Sequence, residues 1–574
     1  EKRIQSVYNI HDCVVVKKVV KGKDALCAYY VERGHVTKSV LKSVLYSKLP
    51  EYMVPQYFVK MDQLPHTPNG KVDRKALPDP VIDEIKVKVT MPRNEIEELL
   101  INIVKKKLGI NEIGIDTNIF DIGADSLTVI SISTELFRYN YNIKVSDIYK
   151  YQTIRKIYDN VLKSDERMNQ QLEHPELIKI NEKVTEFSKD IQCKKIKRKY
   201  NILLTGATGF FGSHLLIELL QNKDNINKIY CIVRPKTDIS VEKRLYDKIK
   251  FYFKNEYDED FKEYVQVIDG RITEEKLGLK ENEYEELLNK IDLVIHSAAN
   301  VSHYGNYKNS EEANIIATRN IISFCQNANA KLQYISTMTI SGNYLEKQEK
   351  IENRIFDENS FYIGQNFEEN VYSKSKLIAE ALVIEYMNNT NKATIYRLGD
   401  LTGRYSDGVF QENINSNATY MRLKSILKIG AIPKELENIN LEFSPVDLVT
   451  KAVCLIIWSD KCDNRIFNVY NPNNLAVANV LKILKKKNYH IKLLEKNDFS
   501  KLIKEISQND KEQNKINGII NDFVNSDDLI YKYIIKSNNL ITCEYLSKLG
   551  FTWKEINDIY IYKIIKYMED VKFI

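Results

Sequence analysis

The chain has 574 residues, and its 84 basic and 78 acidic side chains leave a formal net charge of +6. With 28% charged and 43% hydrophobic residues it can fill several cores beneath a solvated surface, and about 150 residues per domain predicts near four domains. No stretch approaches the roughly 18–20 uninterrupted apolar residues of a membrane helix, Gly (20) and Pro (12) are too scarce for a low-complexity chain, and the near-balanced charge argues against a dedicated nucleic-acid binder.

Residues 1–78 mix β-patterned runs, Val14-Val15-Val16 and Ala25–Val31, with one helical segment, Ser39–Lys48. A turn-rich loop with two prolines and an Asn-Gly follows, Leu64–Pro78, and Leu77-Pro78-Asp79-Pro80 opens a linker to about Met91-Pro92. From Arg93 the period is helical, with Ile96, Leu99, Leu100, Ile103, Val104 and Leu108 on one face. A loop at 109–125, a helix from Ser126 to about Tyr139 and a shorter one over 153–162 complete a compact all-helical domain. Residues 163–198 are polar and end in a basic run without interleaved aromatics, which reads as a solvated linker.

From Tyr200 the runs Ile202–Leu204, Ile229–Val233, Leu293–Ile295, Leu332–Ile335 and Ala393–Tyr396 alternate with helical segments, the pattern of a doubly wound parallel sheet. The eight cysteines (Cys13, Cys27, Cys193, Cys231, Cys325, Cys454, Cys462, Cys543) show no CxxC and no His pair at ligand spacing. That suits reduced thiols in a cytoplasm, with no structural metal. The N-terminus has no apolar h-region and no initiator methionine, so a piece of a longer cytoplasmic polypeptide is expected.

Phe120-Asp121-Ile122-Gly123-Ala124-Asp125-Ser126-Leu127 sets a serine where a helix begins after a glycine turn. Alone, Asp125 or Ser126 reads as an N-cap. Over about 92–165 the F-x-x-G-x-[DH]-S-L pattern and element order resemble the peptidyl carrier domains of nonribosomal peptide synthetases, with Ala124 where many members have a second glycine. The resemblance makes Ser126 the attachment point of 4′-phosphopantetheine, whose phosphate would suit the free N–H groups of a helix start. Pro65-x-Thr67-x-Asn69-Gly70-Lys71-Val72-Asp73-Arg74-Lys75 and Leu49–Pro55 resemble the small C-terminal subdomain of the same synthetases' adenylation domains. Lys71 would match that family's adenylate-contacting lysine, yet the large subdomain is absent, so no adenylation is expected of this chain.

Strand Asn201–Leu204 runs into Thr205-Gly206-Ala207-Thr208-Gly209-Phe210-Phe211-Gly212 and then an apolar helix. Gly206 permits the tight turn, Gly209 lets a pyrophosphate approach and Gly212 lets the helix pack on the sheet. The next strand ends at Arg234, 22 residues past Gly212, where an acidic residue would bind the ribose of NAD. Arg234, with Lys236 and Arg244, instead suits the 2′-phosphate of NADPH. Ser336-Thr337 closes a strand at the edge where open α/β sheets bind ligands, and Tyr372 and Lys376 share a helical face at i and i+4. This spacing predicts the ammonium beside the phenol.

These features give the Thr/Tyr/Lys layout of extended short-chain dehydrogenases. His296–Val301, Ala313-Asn314-Ile315, Arg397–Gly403, Gly430–Pro433 and Ser444–Asp447 resemble the thioester reductase domains that terminate some synthetases, over about 198–574. Gly270-Arg271 stands where that family has Gly-Asp, and Ala317 replaces a common glycine. The resemblance implies Thr337, Tyr372 and Lys376 as catalytic residues. It implies Thr205, Gly206, Thr208, Gly209, Phe210, Phe211, Gly212, Arg234, Arg244, Ala298, Ala299, Asn300 and Lys376 as the cofactor site. His296 and His303 are acid–base candidates, but His296 closes a buried strand and reads as structural.

The expected architecture is an α+β subdomain at 1–80, a four-helix carrier domain at 92–165, a linker at 166–197 and an α/β Rossmann reductase at 198–574. Its core spans about 198–445 and a mostly helical C-terminal subdomain about 446–574, whose tail would cover the active site and receive the carrier. The expected function is NADPH-dependent reductive release of an acyl or peptidyl thioester as an aldehyde, open to further reduction to an alcohol. Expected partners are upstream adenylation and condensation domains and a phosphopantetheinyl transferase; no nucleic acid or membrane partner is expected, and the chain is expected to act as a monomer. Carboxylic acid and aminoadipate reductases share the domain order. A nucleotide-sugar epimerase, or an idle reductase fold that only docks the carrier, are the competing readings.

Overall fold

The computed structural model describes residues 2–5, 10–20, 23–32, 45, 55, 57–65, 72–74, 76–79, 90–110, 112–124, 128–129, 132–133, 136, 143, 145–162, 177, 179–180, 184, 198–236, 239–301, 307–342, 355–365, 367, 370–508, 515–516, 518–519 and 535–574. Contacts divide the chain into two units, Glu1–Glu166 and Arg167–Ile574. Apart from Leu45, the expected helix at Ser39–Lys48 lies outside the described residues, as do Ser126, Lys71, His303 and nearly all of the 166–197 linker. Among the described residues no helix is long and apolar enough to cross a membrane.

In the first unit, β1 (Ile10–Val20) pairs antiparallel with β2 (Lys23–Glu32), and β3 (Tyr57–Lys60) adds in parallel to β2. Alternation puts Cys13, Ala28, Tyr30 and Phe58 into one core and Val14, Cys27 and Tyr29, with Leu64 and Leu77, into another. Both faces of this small sheet are therefore covered. Lys18 Nζ donates to the carbonyls of Leu77 (2.6 Å) and Pro78 (3.0 Å) and pairs with Asp79 (2.9 Å), and the Tyr29 hydroxyl donates to Pro78 (2.5 Å). The sheet thus holds the chain through Asp79.

The carrier-like region begins with α1 (Glu95–Leu108), capped by Asn94, whose side chain accepts from Glu97 N, and closed by Gly109 at φ 64°. Leu100, Ile101, Ile103 and Val104 pack on Ile115, Ile132, Leu136 and Ile148. Glu97 is fully buried on this apolar face, its charge met by Arg93 (Nε 2.8 Å), which also reaches Asp159 (2.7 Å). Helices α2 (Val145–Tyr151) and α3 (Ile154–Ile157) follow.

The second unit is built on seven parallel strands, β4 (Tyr200–Thr205), β5 (Ile226–Val233), β6 (Val265–Asp269), β7 (Leu293–His296), β8 (Lys331–Thr337), β9 (Ala393–Leu398) and β10 (Arg465–Val469). They lie in the order β10-β9-β8-β7-β4-β5-β6. The order reverses between β4 and β7, which opens the crevice where such sheets take a dinucleotide. Helices α4 (Phe210–Gln221), α5 (Val241–Phe253) and α9 (Val446–Ile457) cover one face. Helices α6 (Glu281–Lys290), α7 (Ala317–Ala328) and α8 (Val371–Thr390) cover the other. The doubly wound expectation holds.

The division at 445 does not. Strand β10 is the seventh strand of the sheet, in register with β9 from Thr394↔Arg465 to Leu398↔Val469, and α9 packs in the same core as α4. Helix α10 (Leu540–Lys548) joins that core through Tyr545 and Leu546. A separate cluster gathers Phe410, Tyr420, Val480 and Ile483 with α11 (Asp558–Asp570).

Candidate functional site

Strand β4 ends at Thr205, and Gly206 turns the chain at φ +79°, a region open to glycine. A side chain there is also excluded by packing, because an added Cβ would lie 2.6 Å from Ala298 N. Gly209 caps α4 without a side chain, leaving the helix's first N–H groups open. A Cβ on Gly212 would lie 2.1 Å from the Gly206 carbonyl oxygen, so the helix rides directly on the turn. Gly212→Ala is expected to cost about 1–3 kcal/mol through overpacking and to abolish dinucleotide binding. A thermal melt alongside an NADPH titration checks both.

Beyond β5, Arg234 is exposed, and Arg244 of α5 donates to its carbonyl. Burial, with Arg244, Arg234 and Lys248 nearby, pulls the Lys236 ammonium below its ordinary value. A cavity of about 300 Å³ opens beside these cations, lined by Thr208, Lys236, Arg244 and Lys248, with Asp247 and Glu412 on its wall. Three expected phosphate-binding residues thus meet in one cluster near the glycine turn. Arg271 points elsewhere, lying 3.8 Å from Glu274.

The segment after β7 lies over the turn. Ser297 Oγ donates to the Thr205 carbonyl (2.7 Å), and Ala298 N donates to Thr205 Oγ1 (3.4 Å). Asn314 fixes its far end, accepting from Asn300 N (2.7 Å) and donating to Asn300 O (3.1 Å) and to Ser375 Oγ on α8 (2.8 Å). Asn314 sits in a π-helical turn, Glu311–Ile316, a distortion common at functional sites. His296 is 1% exposed, with Nδ1 2.7 Å from Thr205 Oγ1 and Nε2 3.3 Å from Thr318 Oγ1. Burial, then the nearby Lys376, lowers it to about 3. It is a neutral structural histidine, as its place on the strand implies.

Thr337 ends β8 with its hydroxyl accepting from Thr339 N (3.1 Å) and 2.9 Å from the Thr339 hydroxyl. Asn370 caps α8, its side chain accepting from Tyr372 N (3.0 Å) and Ser373 N (3.2 Å), which sets the first turn and the phenol's direction. Burial raises the Tyr372 phenol to about 12, against the Thr337 hydrogen bond and with Asp400. Lys376 is buried and lowered to about 7 by that burial, which Glu380 opposes. Its hydrogen bonds run to the Tyr334 hydroxyl (2.7 Å) and the Ile335 carbonyl (2.7 Å), because the strand faces the lysine from below the helix.

Beneath this pair lies an ion pair that sequence reasoning missed. Arg397 of β9 meets Glu380 Oε1 through Nε (2.9 Å) and Nη2 (2.7 Å), and Ser336 donates to the other oxygen. Both charges are fully buried. Such a pair fixes α8 against β8 and β9, and removing one partner would strand the other charge. Arginine inside an apolar strand was the available signal; its partner was not readable.

A seven-stranded parallel sheet with a glycine turn at its crevice, and a Thr/Tyr/Lys group at the ends of β8 and α8, defines a reductase fold of the extended short-chain dehydrogenase type. The NAD-binding family described as male sterility protein matches residues 204–453, the phosphopantetheine attachment site family 98–161 and the AMP-binding enzyme C-terminal domain 1–71. A thiolation-reductase di-domain from an archaeal non-ribosomal peptide synthetase is 27% identical and superposes with a TM-score of 0.73, covering 85% of this chain and 100% of that one. A linear gramicidin synthase of Brevibacillus parabrevis is 27% identical over 84% of this chain and 10% of its own length. The L-2-aminoadipate reductase of Penicillium chrysogenum is, in its large subunit, 27% identical over 71% of this chain and 31% of its own. The chain thus spans between a tenth and about a third of the length of the last two, the gramicidin synthase and the aminoadipate reductase subunit. The chain is similar to nonribosomal peptide synthetases and carries an adenylation-type C-terminal domain, a phosphopantetheine attachment domain and an NAD-binding reductase domain.

Proposed function

We propose that this chain reduces an acyl or peptidyl thioester held on its own carrier domain and releases it as an aldehyde. The observation that carries this reading is Thr337 at the end of β8 with Tyr372 and Lys376 in the first turns of α8, on the same fold as the glycine turn, in one chain with a phosphopantetheine attachment domain. The residues present fit the dinucleotide, since Gly206 and Gly212 leave a cradle that a Cβ would fill and Arg234, Lys236 and Arg244 offer cations for a 2′-phosphate. NADPH, when bound, supplies a hydride.

The chain's own groups do the rest. Thr337 and Tyr372 would donate hydrogen bonds to the thioester oxygen as negative charge develops on it. Tyr372, held neutral by burial, would supply the proton. Lys376 would hold the nicotinamide ribose and favour the phenol's donation. A hydride and a proton added to the thioester give aldehyde and free thiol, which balances. Ser126 would carry the pantetheine arm, installed by a phosphopantetheinyl transferase, and upstream adenylation and condensation domains would load it. Tethering sets the effective substrate concentration near the millimolar range, with no second copy of the chain required. A module of the aminoadipate reductase type would use the same reductive step on a carrier-bound single acid.

Arg234→Ala with Arg244→Ala is expected to lower kcat/KM for NADPH about 10- to 100-fold, by loss of charge-assisted bonds to the phosphate. NADH turnover should stay unchanged. Parallel assays with the two cofactors decide it, and equal losses for both would refute the 2′-phosphate role.

A further inference from the structure

The Lys376 side chain is 3% exposed, and an ammonium there must place three N–H donors. Two run 2.7 Å each to the Tyr334 hydroxyl and the Ile335 carbonyl. Tyr334 is itself 1% exposed. Its oxygen accepts from the ammonium, and the Thr318 hydroxyl of α7 lies beside it. Thr318 gives its own proton to the Asn314 carbonyl (2.5 Å), so its oxygen can only accept. His296 Nε2, 3.3 Å away, is therefore the protonated ring nitrogen, and Nδ1 accepts from Thr205 Oγ1 at 2.7 Å. Buried polar groups thus line the path from the lysine of α8, through Tyr334, Thr318 and His296, to Thr205, the residue before Gly206.

We propose that Tyr334 is a positioning residue for Lys376: with the Ile335 carbonyl it takes two ammonium protons and leaves the third for the Tyr372 side of the cleft, with the Thr318 hydroxyl as the polar neighbour of its own. This rests on the reductase reading above, in which Lys376 supports Tyr372. Tyr334→Phe removes one acceptor and leaves a buried N–H unpaired, which favours the neutral amine. The groups facing this ammonium are Glu380 and Tyr372 on its own helix, Tyr334 on β8 and His296 on β7, which stays neutral. Glu380 is held by Arg397 and Ser336 and does not change in the variant. Burial already lowers Lys376 to about 7. The charged form exists below that value, so activity that needs it falls as pH rises through it, and Tyr334→Phe moves this falling limb to lower pH.

The test uses the full chain with an acyl-loaded carrier and follows single-turnover release against pH for wild type, Tyr334→Phe, Thr318→Val and Thr318→Ser, with a thermal melt of each. The limb of Tyr334→Phe is expected to move down by about one pH unit, for a roughly tenfold loss above it and a rate near wild type below it. Thr318→Val should move it the same way by less, and Thr318→Ser, which keeps the hydroxyl, should restore it. A profile coincident with wild type, or a loss uniform across pH, would overturn the proposal. If wild type binds NADPH yet releases nothing, the functional reading fails by itself. The proposal is then decided on the pH dependence of NADPH affinity: a displaced curve in Tyr334→Phe supports it and coincident curves overturn it. A wild type that binds no NADPH overturns both.

Discussion

Tyr372→Phe is expected to slow reductive release about 100- to 10,000-fold, the range for loss of a positioned general acid, or ~3–5 kcal/mol of barrier. The phenol is raised to about 12 by its burial, so it is a proton donor throughout the working pH range. The Asn370 cap fixes the turn it stands on. The substitution keeps the ring and removes only the hydroxyl. NADPH affinity, set by the glycine turn and the cationic cluster, should remain near wild type. Single-turnover rates with a parallel NADPH titration check the split. A rate within tenfold of wild type would take the proton-donor role from Tyr372.

Ser126→Ala is expected to abolish turnover of carrier-loaded substrate, because no phosphopantetheine can be attached. The reductase should still act on a free acyl-pantetheine thioester, at far higher concentration, since the tether that sets a roughly millimolar local concentration is lost. Intact-protein mass after treatment with a phosphopantetheinyl transferase and coenzyme A checks attachment, and product mass checks release. Attachment at full yield in Ser126→Ala would move the arm to another residue.

What was legible in the sequence followed from local chemistry. An apolar strand entering three spaced glycines and then an apolar helix has few foldings, and β4, its turn and α4 appear as expected. Tyr372 and Lys376 were readable from i, i+4 spacing on one helix. Where Lys376 would aim was not, because its acceptors come from a strand 42 and 41 residues away in sequence. Spacing within one helix sets which side chains share a face, while tertiary contacts choose their hydrogen-bond partners. Tyr334 was hidden inside an apolar run, where a tyrosine reads as core. Strands β6 and β10 were missed for a different reason. Val265–Asp269 and Arg465–Val469 are five residues each and lack the long apolar run of a central strand. Both lie at the sheet's outer edges, where β6 buries only Val265, while β10 is buried from Ile466 onward but carries the polar Arg465 and Asn468 within its five residues. Missing β10 moved the expected end of the core to about 445 and placed a strand of the sheet in the C-terminal subdomain.

The central claim is that the reductase domain discharges its own carrier by reduction. The most direct measurement loads Ser126 with an aminoacyl- or dipeptidyl-pantetheine, adds NADPH, and follows cofactor oxidation together with the mass of the released compound. The account predicts one equivalent of aldehyde, or alcohol with a second equivalent of NADPH, matched to the free carrier thiol. A thioester that persists across several acyl groups while NADPH demonstrably binds would contradict it, and leave the reductase fold as a platform that only positions the carrier.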